Sequence, residues 1–292
     1  MHFTGTLYRS PSWPTWPLLQ ITQGCSHNKC KFCTMYRDVK FAPQPTELIE
    51  EDLAELAQTD SGATTIQLLS GNPLALPFHR LKPIFELIHE YLPNMEHIYT
   101  QGRITDLRNK TVEQLRELRE LGMDEISIGV ESGDDWTLER VVKGYRGDDV
   151  IEQCHKLDEA GIRYWLTFLN GVAGRSHTHE HALNSARVFN QCHPMHVGVG
   201  GFTLFPGVPL RDEAERGEFD PLTEAEMLEE LREFVSALEC DCAFSTHHNV
   251  VAEIDTQDFL VDRDAFIAEI DDILEHDDME LLARYRAAKT DL

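Results

Sequence analysis

The chain predicts an α/β fold of parallel strands, and three observations predict it. Apolar, β-rich runs alternate with amphipathic helical stretches six times between residues 16 and 210. The runs are mostly apolar, as strands covered on both faces should be. The chemically unusual residues all fall at the C-terminal ends of these runs: Gly24-Cys25, Ser70-Gly71-Asn72, Gln101-Gly102-Arg103, Glu131-Ser132-Gly133, Asn170-Gly171 and Pro206-Gly207. Parallel α/β folds keep their chemistry there. Six units in roughly 200 residues suit a partial (β/α)6 barrel, with an open doubly wound sheet as the competing arrangement.

Residues 1–15, rich in proline and aromatics, read as an extended lead-in. The strand runs are "WPLLQITQG" (16–24), "TTIQLLSG" (64–71), "EHIYTQG" (96–102), "DEISIGVESG" (124–133), "IRYWLTFLNG" (162–171) and "MHVGVGGFTLF" (195–205). Helices are expected at "TELIEEDLAELAQ" (46–58), "TVEQLRELRELG" (111–122) and "DDVIEQCHKLDEAG" (148–161). In the second, Val112, Leu115, Leu118 and Leu121 recur at helical spacing, and Gly122 ends the helix as Gly161 ends the third. From about residue 211 the alternation is expected to stop. Helices at 223–238, 264–276 and along "DDMELLARYRAA" would then flank "CDCAFSTHHNVVAEI" (240–254), which holds one or two strands. The domain reading is a lead-in at 1–15, a barrel core at 16–210 and a C-terminal α/β extension at 211–292 covering the barrel.

At 292 residues and 41% hydrophobic, the chain can bury a large core. No apolar run approaches the ~18 residues of a membrane span, and the N-terminus lacks the apolar core of a secretory signal. A cytoplasmic location is therefore expected, where disulfides are rare. The odd count of seven cysteines points the same way, toward metal or redox use. The formal charge is −25, with 51 Asp and Glu against 8 Lys and 18 Arg. Such a surface repels nucleic acid at long range and is most simply a solvated acidic face.

The most informative stretch is "GCSHNKCKFCTMY" (24–36), which puts Cys25, Cys30 and Cys33 within nine residues. Three thiolates on one loop can hold three corners of an iron–sulfur cubane, whose fourth iron stays open to a ligand. Open coordination separates a catalytic metal from a structural one. Zinc on Cys25, His27, Cys30 and Cys33 is the competing ligand set. It would be cramped, because structural zinc sites draw ligand pairs from separated segments.

These cysteines, with Phe32 before the last, resemble the cluster loop of the radical S-adenosylmethionine (SAM) superfamily. Four residues separate the first two cysteines here, against three in the commonest pattern of that family. "IGVESGDDWTLERVVKGY" (128–145) and "FTLFPGVPL" (202–210) are similar to segments of its coproporphyrinogen oxidase-like, MiaB-like and Elp3-like branch. The resemblance covers roughly residues 16 to 210. It implies a partial (β/α)6 barrel, a [4Fe–4S] cluster on Cys25, Cys30 and Cys33, and SAM chelating the open iron. It implies reductive cleavage of SAM to a 5′-deoxyadenosyl radical that abstracts hydrogen from substrate.

The resemblance also implies cofactor contacts. Phe32 would pack near the adenine, with Tyr36 beside it. Ser70, Gly71 and Asn72 stand where relatives bind the methionine amino group through an acid that "SGN" lacks. Arg103 would clamp the SAM carboxylate. Glu131, helped by Ser132, would hold the ribose hydroxyls or the ammonium, and Asn170 and Gly171 would support the adenine. Each has a structural alternative: a core aromatic, a strand-to-helix turn, a surface ion pair or a helix cap.

Elsewhere, His177 and His181 share a helical face behind Ser176 as N-cap, without an evident third ligand. Cys240, Cys242, His247 and His248 could form a second metal site, or His248 and Asn249 could line a substrate pocket. Adjacent histidines on a strand point to opposite faces, which favours a structural role. Cys154 and Cys192 read as core. The expected partners are a small-molecule substrate and a reductant such as ferredoxin or flavodoxin, with no membrane and no nucleic acid. The competing class is a non-catalytic module, either a zinc scaffold or an electron-transfer iron–sulfur protein.

Overall fold

Every apolar run forms a strand, trimmed to the residues that pair with a neighbour. The computed structural model describes residues 1–9, 15–247 and 250–288, apart from the side chains of His247 and Ala287. The chain divides into two compact units.

The first unit comprises residues 1–28, 35–129 and 156–164. Its strands are β1 (Leu18–Gln20), β2 (Thr22–Gln23), β3 (Ala42–Pro43), β4 (Thr65–Leu69), β5 (His97–Gly102) and the start of β6 (Glu125–Glu131). β1, β4, β5 and β6 pair in that order, all parallel, with Leu19 opposite Leu68, Ile66 opposite Ile98 and Thr100 opposite Ile126. β2 and β3 form an antiparallel ribbon that pinches the base of the cysteine loop, with Gln23 opposite Ala42. The helix Thr46–Thr59 buries Ile49, Leu53 and Leu56 on one stripe. The helix Phe78–Tyr91 contains Pro83, and its stripe of Leu81, Ile84, Phe85 and Ile88 outweighs the ~3 kcal/mol cost of an interior proline. The lead-in is anchored here: Thr4 N–H donates to the Gln20 side chain at 2.7 Å, and His2 Nδ1 lies 2.8 Å from Asp52.

One buried cation in this unit makes a pH prediction. Lys110 is 3% exposed and donates to the carbonyls of Leu74 (2.7 Å) and Asp106 (2.8 Å). Burial lowers its pKa from 10.5 to about 8, with Asp106 opposing. Between those values the unfolded chain binds a proton that the folded chain does not, so stability rises with pH across that window. Lys110→Met is expected to flatten this part of the profile, read by denaturant unfolding on either side of the window. An unchanged slope would show that Lys110 does not titrate there.

The second unit comprises residues 29–34, 130–155 and 165–292. It contains the end of β6, most of β7 (Arg163–Asn170), and β8 (His196–Gly201), β9 (Ala243–His247) and β10 (Asp255–Thr256). β7, β8 and β9 are parallel, with Thr167 opposite Gly198 and Gly198 opposite Ser245, and β10 is antiparallel to β9. The alternation therefore continues past residue 211, correcting the expectation that it stops. The helix Glu224–Ala237 carries the chain from β8 to a further parallel strand. A strand is expected in this stretch and is found, but Ser245 and Thr246 break the apolar run that marks the others, so its place in the parallel series leaves no trace in the sequence. The core stacks Phe168 on Phe234 at 4.0 Å, with Phe189 edge-on at 5.8 Å. The later helices run Phe259–His276 and Met279–Ala288. The former starts before 264 because Asp258 caps it. The fold class is α/β with the parallel strands of a partial (β/α)6 barrel. Among the described residues no helix is long and apolar enough to cross a membrane.

Candidate cofactor site

In the first unit, the loop leaves β2 through Gly24, whose φ of +67° is left-handed. A Cβ there would lie 2.6 Å from the Val39 carbonyl oxygen, so only glycine fits. Cys25 follows, against the end of β4: a Cβ on Gly71 would come within 2.8 Å of Cys25 Cα. Buried Ser70, at φ +140°, donates to Gly24 O at 3.3 Å, and its own carbonyl accepts from Gln101 Nε2. Asn72 is fully buried and fully engaged. Its Oδ1 accepts from Ser26 N–H (2.8 Å), and its Nδ2 donates to Ser26 Oγ (2.7 Å) and to both Asp106 oxygens (2.9 and 3.0 Å). Asn72 thus clasps the cysteine loop to the short helix Ile104–Leu107. Burial raises the Asp106 pKa against the hydrogen bonds from Asn72 and the Arg103 backbone.

Arg103 is 7% exposed, so the surface ion pair weighed for it is excluded, and its guanidinium reaches Thr105 Oγ1 at 3.2 Å. Tyr36 is buried with its ring edge-on to Tyr8 at 5.5 Å, and its carbonyl accepts from Asn28 Nδ2 at 2.6 Å. Those are the contacts of a core aromatic bracing the loop.

The second unit holds Cys30 and Cys33, with Cys33 N–H donating to Cys30 O at 3.3 Å. Between them Lys31 is tethered three ways. Its N–H donates to Val141 O (3.0 Å), its carbonyl accepts from Leu210 N–H (3.1 Å) and its ammonium pairs with Glu213 at 2.8 Å. Glu213 also pairs with Arg140. Burial pushes the Glu213 pKa up, but Lys31 and Arg140 outweigh it and hold the carboxyl below its usual range. Phe32 packs against the cluster of Val141, Val172, Phe202, Leu210 and Phe219.

The Lys143 ammonium lies over the Phe32 ring, 5.3 Å from its centroid, and 3.2 Å from Glu131 Oε1. Lys143 is 4% exposed. Glu131 Oε2 accepts from Thr167 Oγ1 at 3.0 Å, and Thr167 Oγ1 in turn accepts from Val130 N–H at 3.1 Å. Glu131 sits at φ +69° and Val142, beside Lys143, at φ +59°, both left-handed for residues with side chains. Sequence reasoning found Glu131 and Phe32 but missed Lys143. The available signal was a lone lysine in a lysine-poor chain, shortly after the strand end that carries Glu131.

The other expected residues are engaged by the protein. Ser132 is fully buried, accepts from Asp134 N–H at 3.0 Å and lies 3.4 Å from Ser185 Oγ. Asp134 caps the next helix through Thr137 N–H at 2.8 Å. Burial pushes its pKa up, but the bonds from Thr137 and Asn184, with His177 nearby, hold it below the usual range. Asn170 turns its amide onto Met227 O (3.1 Å) and Glu230 (2.7 Å), and Gly171 N–H also meets Glu230.

His177 and His181 part company. His177 stacks on Trp136 at 4.2 Å, whereas His181 is fully buried against Glu230 at 3.0 Å. Ser176 is not the N-cap, because a short 3-10 turn over Arg175–His177 precedes the helix Thr178–Phe189 and moves its start. Cys240 and Cys242 are buried, and contact with Cys240 together with burial raises the Cys242 pKa. The other residues weighed with them, His248 for the metal site and His248 with Asn249 for the pocket, lie outside the described residues, as does the His247 side chain. Cys154 and Cys192 are core, as expected.

Three thiolates are the kind of donor a cubane takes. Cys25, Cys30 and Cys33 form no disulfide and are only partly buried. Among the described residues no group of three or more His, Cys, Asp or Glu is arranged to hold a metal ion.

Comparison with known proteins agrees. The family model described as "Radical SAM superfamily" matches residues 19–189. The heme chaperone HemW of Bacillus subtilis (strain 168) is 25% identical over 173 residues, covering 56% of this chain and 44% of that protein. The chain thus spans less than half the length of that curated relative. Coproporphyrinogen III oxidase HemN from Escherichia coli superposes with a TM-score of 0.56 at 13% identity, covering 85% of this chain and 66% of HemN. The radical SAM methyltransferase TsrM from Kitasatospora setae gives 0.56 at 17% identity, over 69% of this chain and 39% of TsrM. At these identities the solved structures establish the fold.

Proposed function

The chain belongs to the radical SAM superfamily, with a [4Fe–4S] cluster and SAM as its cofactors, and we propose that it is an enzyme abstracting hydrogen from a small organic substrate. A bound, reduced cluster with SAM would supply the one-electron reductive cleavage of the sulfonium C–S bond and the hydrogen-abstracting power that goes with it. The protein's own residues bind, orient and exclude water. Cys25, Cys30 and Cys33 would hold the cluster.

The observation that carries this reading is the ion pair of half-buried Glu131 with buried Lys143 beside Phe32. A carboxylate and an ammonium held 3.2 Å apart can bind the SAM ammonium or ribose on one side and its carboxylate on the other. Lys143 thereby takes the carboxylate role expected of Arg103. Phe32 would supply the adenine's apolar neighbour and the Asn170–Gly171 turn its polar edge. With Asn72 committed to the loop clasp, the backbone at Ser70 and Gly71 is left to meet the methionine amino group.

The charge of −25 favours a small molecule over RNA, and a ferredoxin or flavodoxin would supply the electron. Thiolate ligation suits a reducing cytoplasm. One observation favours a second reading, a tetrapyrrole carrier: the match to the heme chaperone HemW. A single preparation tests both. The chain is purified without oxygen, reconstituted with iron and sulfide, and given dithionite and SAM. Release of 5′-deoxyadenosine supports the enzyme. Stoichiometric hemin binding without SAM turnover supports the carrier, and a colourless zinc protein overturns both.

A further inference from the structure

We propose that Glu230, in the helix Glu224–Ala237, is a positioning residue that sets the Asn170–Gly171 turn for SAM. The inference rests on assigning that turn to the adenine. Glu230 lies beyond residues 19–189, the part matched by the family model, and no sequence motif marked it.

Its side chain is 1% exposed, and four donors converge on it. Asn170 Nδ2 (2.7 Å) and Gly171 N–H meet Oε2, while Thr178 Oγ1 (2.7 Å) and His181 Nδ1 (3.0 Å) meet Oε1. A buried carboxylate is tolerated only when its oxygens are satisfied. One oxygen here holds the end of β7 and the other holds the start of the helix Thr178–Phe189. The turn is fixed from further directions. Asn170 Nδ2 also donates to Met227 O at 3.1 Å, Asn170 O accepts from Phe202 N–H at 2.8 Å, and Gly171 is left-handed at φ +87° with no room for a Cβ beside Met227 Sδ. Moving the Glu230 oxygens would move the Gly171 peptide with them, and displacements well under 1 Å matter at a binding constellation.

The chemistry predicts an unusual ordering of variants. In Glu230→Gln the amide oxygen still accepts from Asn170 and Gly171. Its NH2 donates to Thr178 Oγ1 and to His181 Nδ1, once that imidazole shifts its proton to Nε2. Glu230→Asp keeps the charge but is one methylene shorter and cannot reach both sides. The full chain, loaded with cluster, is dialysed to equilibrium against SAM and, as a probe without adenine, against methionine. Glu230→Asp should bind SAM about tenfold more weakly, some 1.4 kcal/mol, with iron content and methionine affinity unchanged and a lowered thermal midpoint, since buried donors lose their acceptor. Glu230→Gln should match the wild type.

The reverse order, or equal affinities in all three, overturns the proposal, since a role through charge alone favours Asp over Gln. If Glu230→Asp does not fold, Glu230→Gln decides: wild-type SAM affinity upholds the role and a folded, cluster-loaded Glu230→Gln with weakened binding ends it. A cluster-loaded wild type that binds no SAM fails the parent assignment, a result distinct from any ordering of variants.

Discussion

Cys30→Ala loses its cluster and releases no 5′-deoxyadenosine above background: this is the largest effect expected of any single substitution. With three protein thiolates on the cubane, removing one leaves an iron without its protein ligand. The loss should exceed the roughly 10–100-fold fall in metal affinity typical of outer-shell partners. The Cys30 carbonyl, which accepts from Cys33 N–H in the loop turn, survives in alanine. Lys31 remains tethered to Val141, Leu210 and Glu213, so the loop keeps its path. Iron and sulfide per chain, with product measured by mass, give the readout. Cys192→Ala, at a buried thiol donating to Val188 O, should keep a full cluster. A Cys30→Ala protein with full iron and normal SAM cleavage would remove Cys30 from the ligand set.

Lys143→Met should bind SAM about 10–100-fold more weakly while retaining its cluster, as expected for one charged hydrogen bond of about 1.5–3 kcal/mol. Methionine keeps the length and apolar stem of lysine but removes the ammonium that lies over Phe32 and pairs with Glu131. Glu131 would then stand without its cation, still held by Thr167. Adding Glu131→Gln would relieve that unpaired charge and recover stability without recovering SAM affinity. Equilibrium dialysis against SAM, with iron content measured in parallel, separates binding from cluster loading. An unchanged affinity in the loaded protein would return the carboxylate role to Arg103.

The strands, the principal helices and the cysteine loop were legible in the sequence because each is written locally, in apolar periodicity or in close spacing of one residue type. What was not legible lies in pairings between distant residues. Asn72 and Asn170 read as ligand contacts because they end strands. Their amides prove to be committed to Asp106 and Glu230, residues that leave no periodic trace beside them. Lys143 was hidden for the same reason: its meaning comes from folding back on Glu131 and Phe32. For β9, a strand expected from the sequence, what composition hid was its parallel pairing with β8, since its hydroxyl side chains break the apolar run that marks the other parallel strands.

The two left-handed residues near the Glu131–Lys143 pair carry an evolutionary consequence. An αL conformation costs a residue with a Cβ roughly 1–2 kcal/mol, so glycine at 131 would relax the backbone. It would also delete the carboxylate. Because that strands the buried Lys143 ammonium, a screen of this chain for thermal resilience alone should enrich Glu131→Gly together with Lys143→Met, and the survivors would be sturdier proteins with their cofactor grip gone. Position 131 is one where selection for endurance and selection for catalysis pull the same codon in opposite directions.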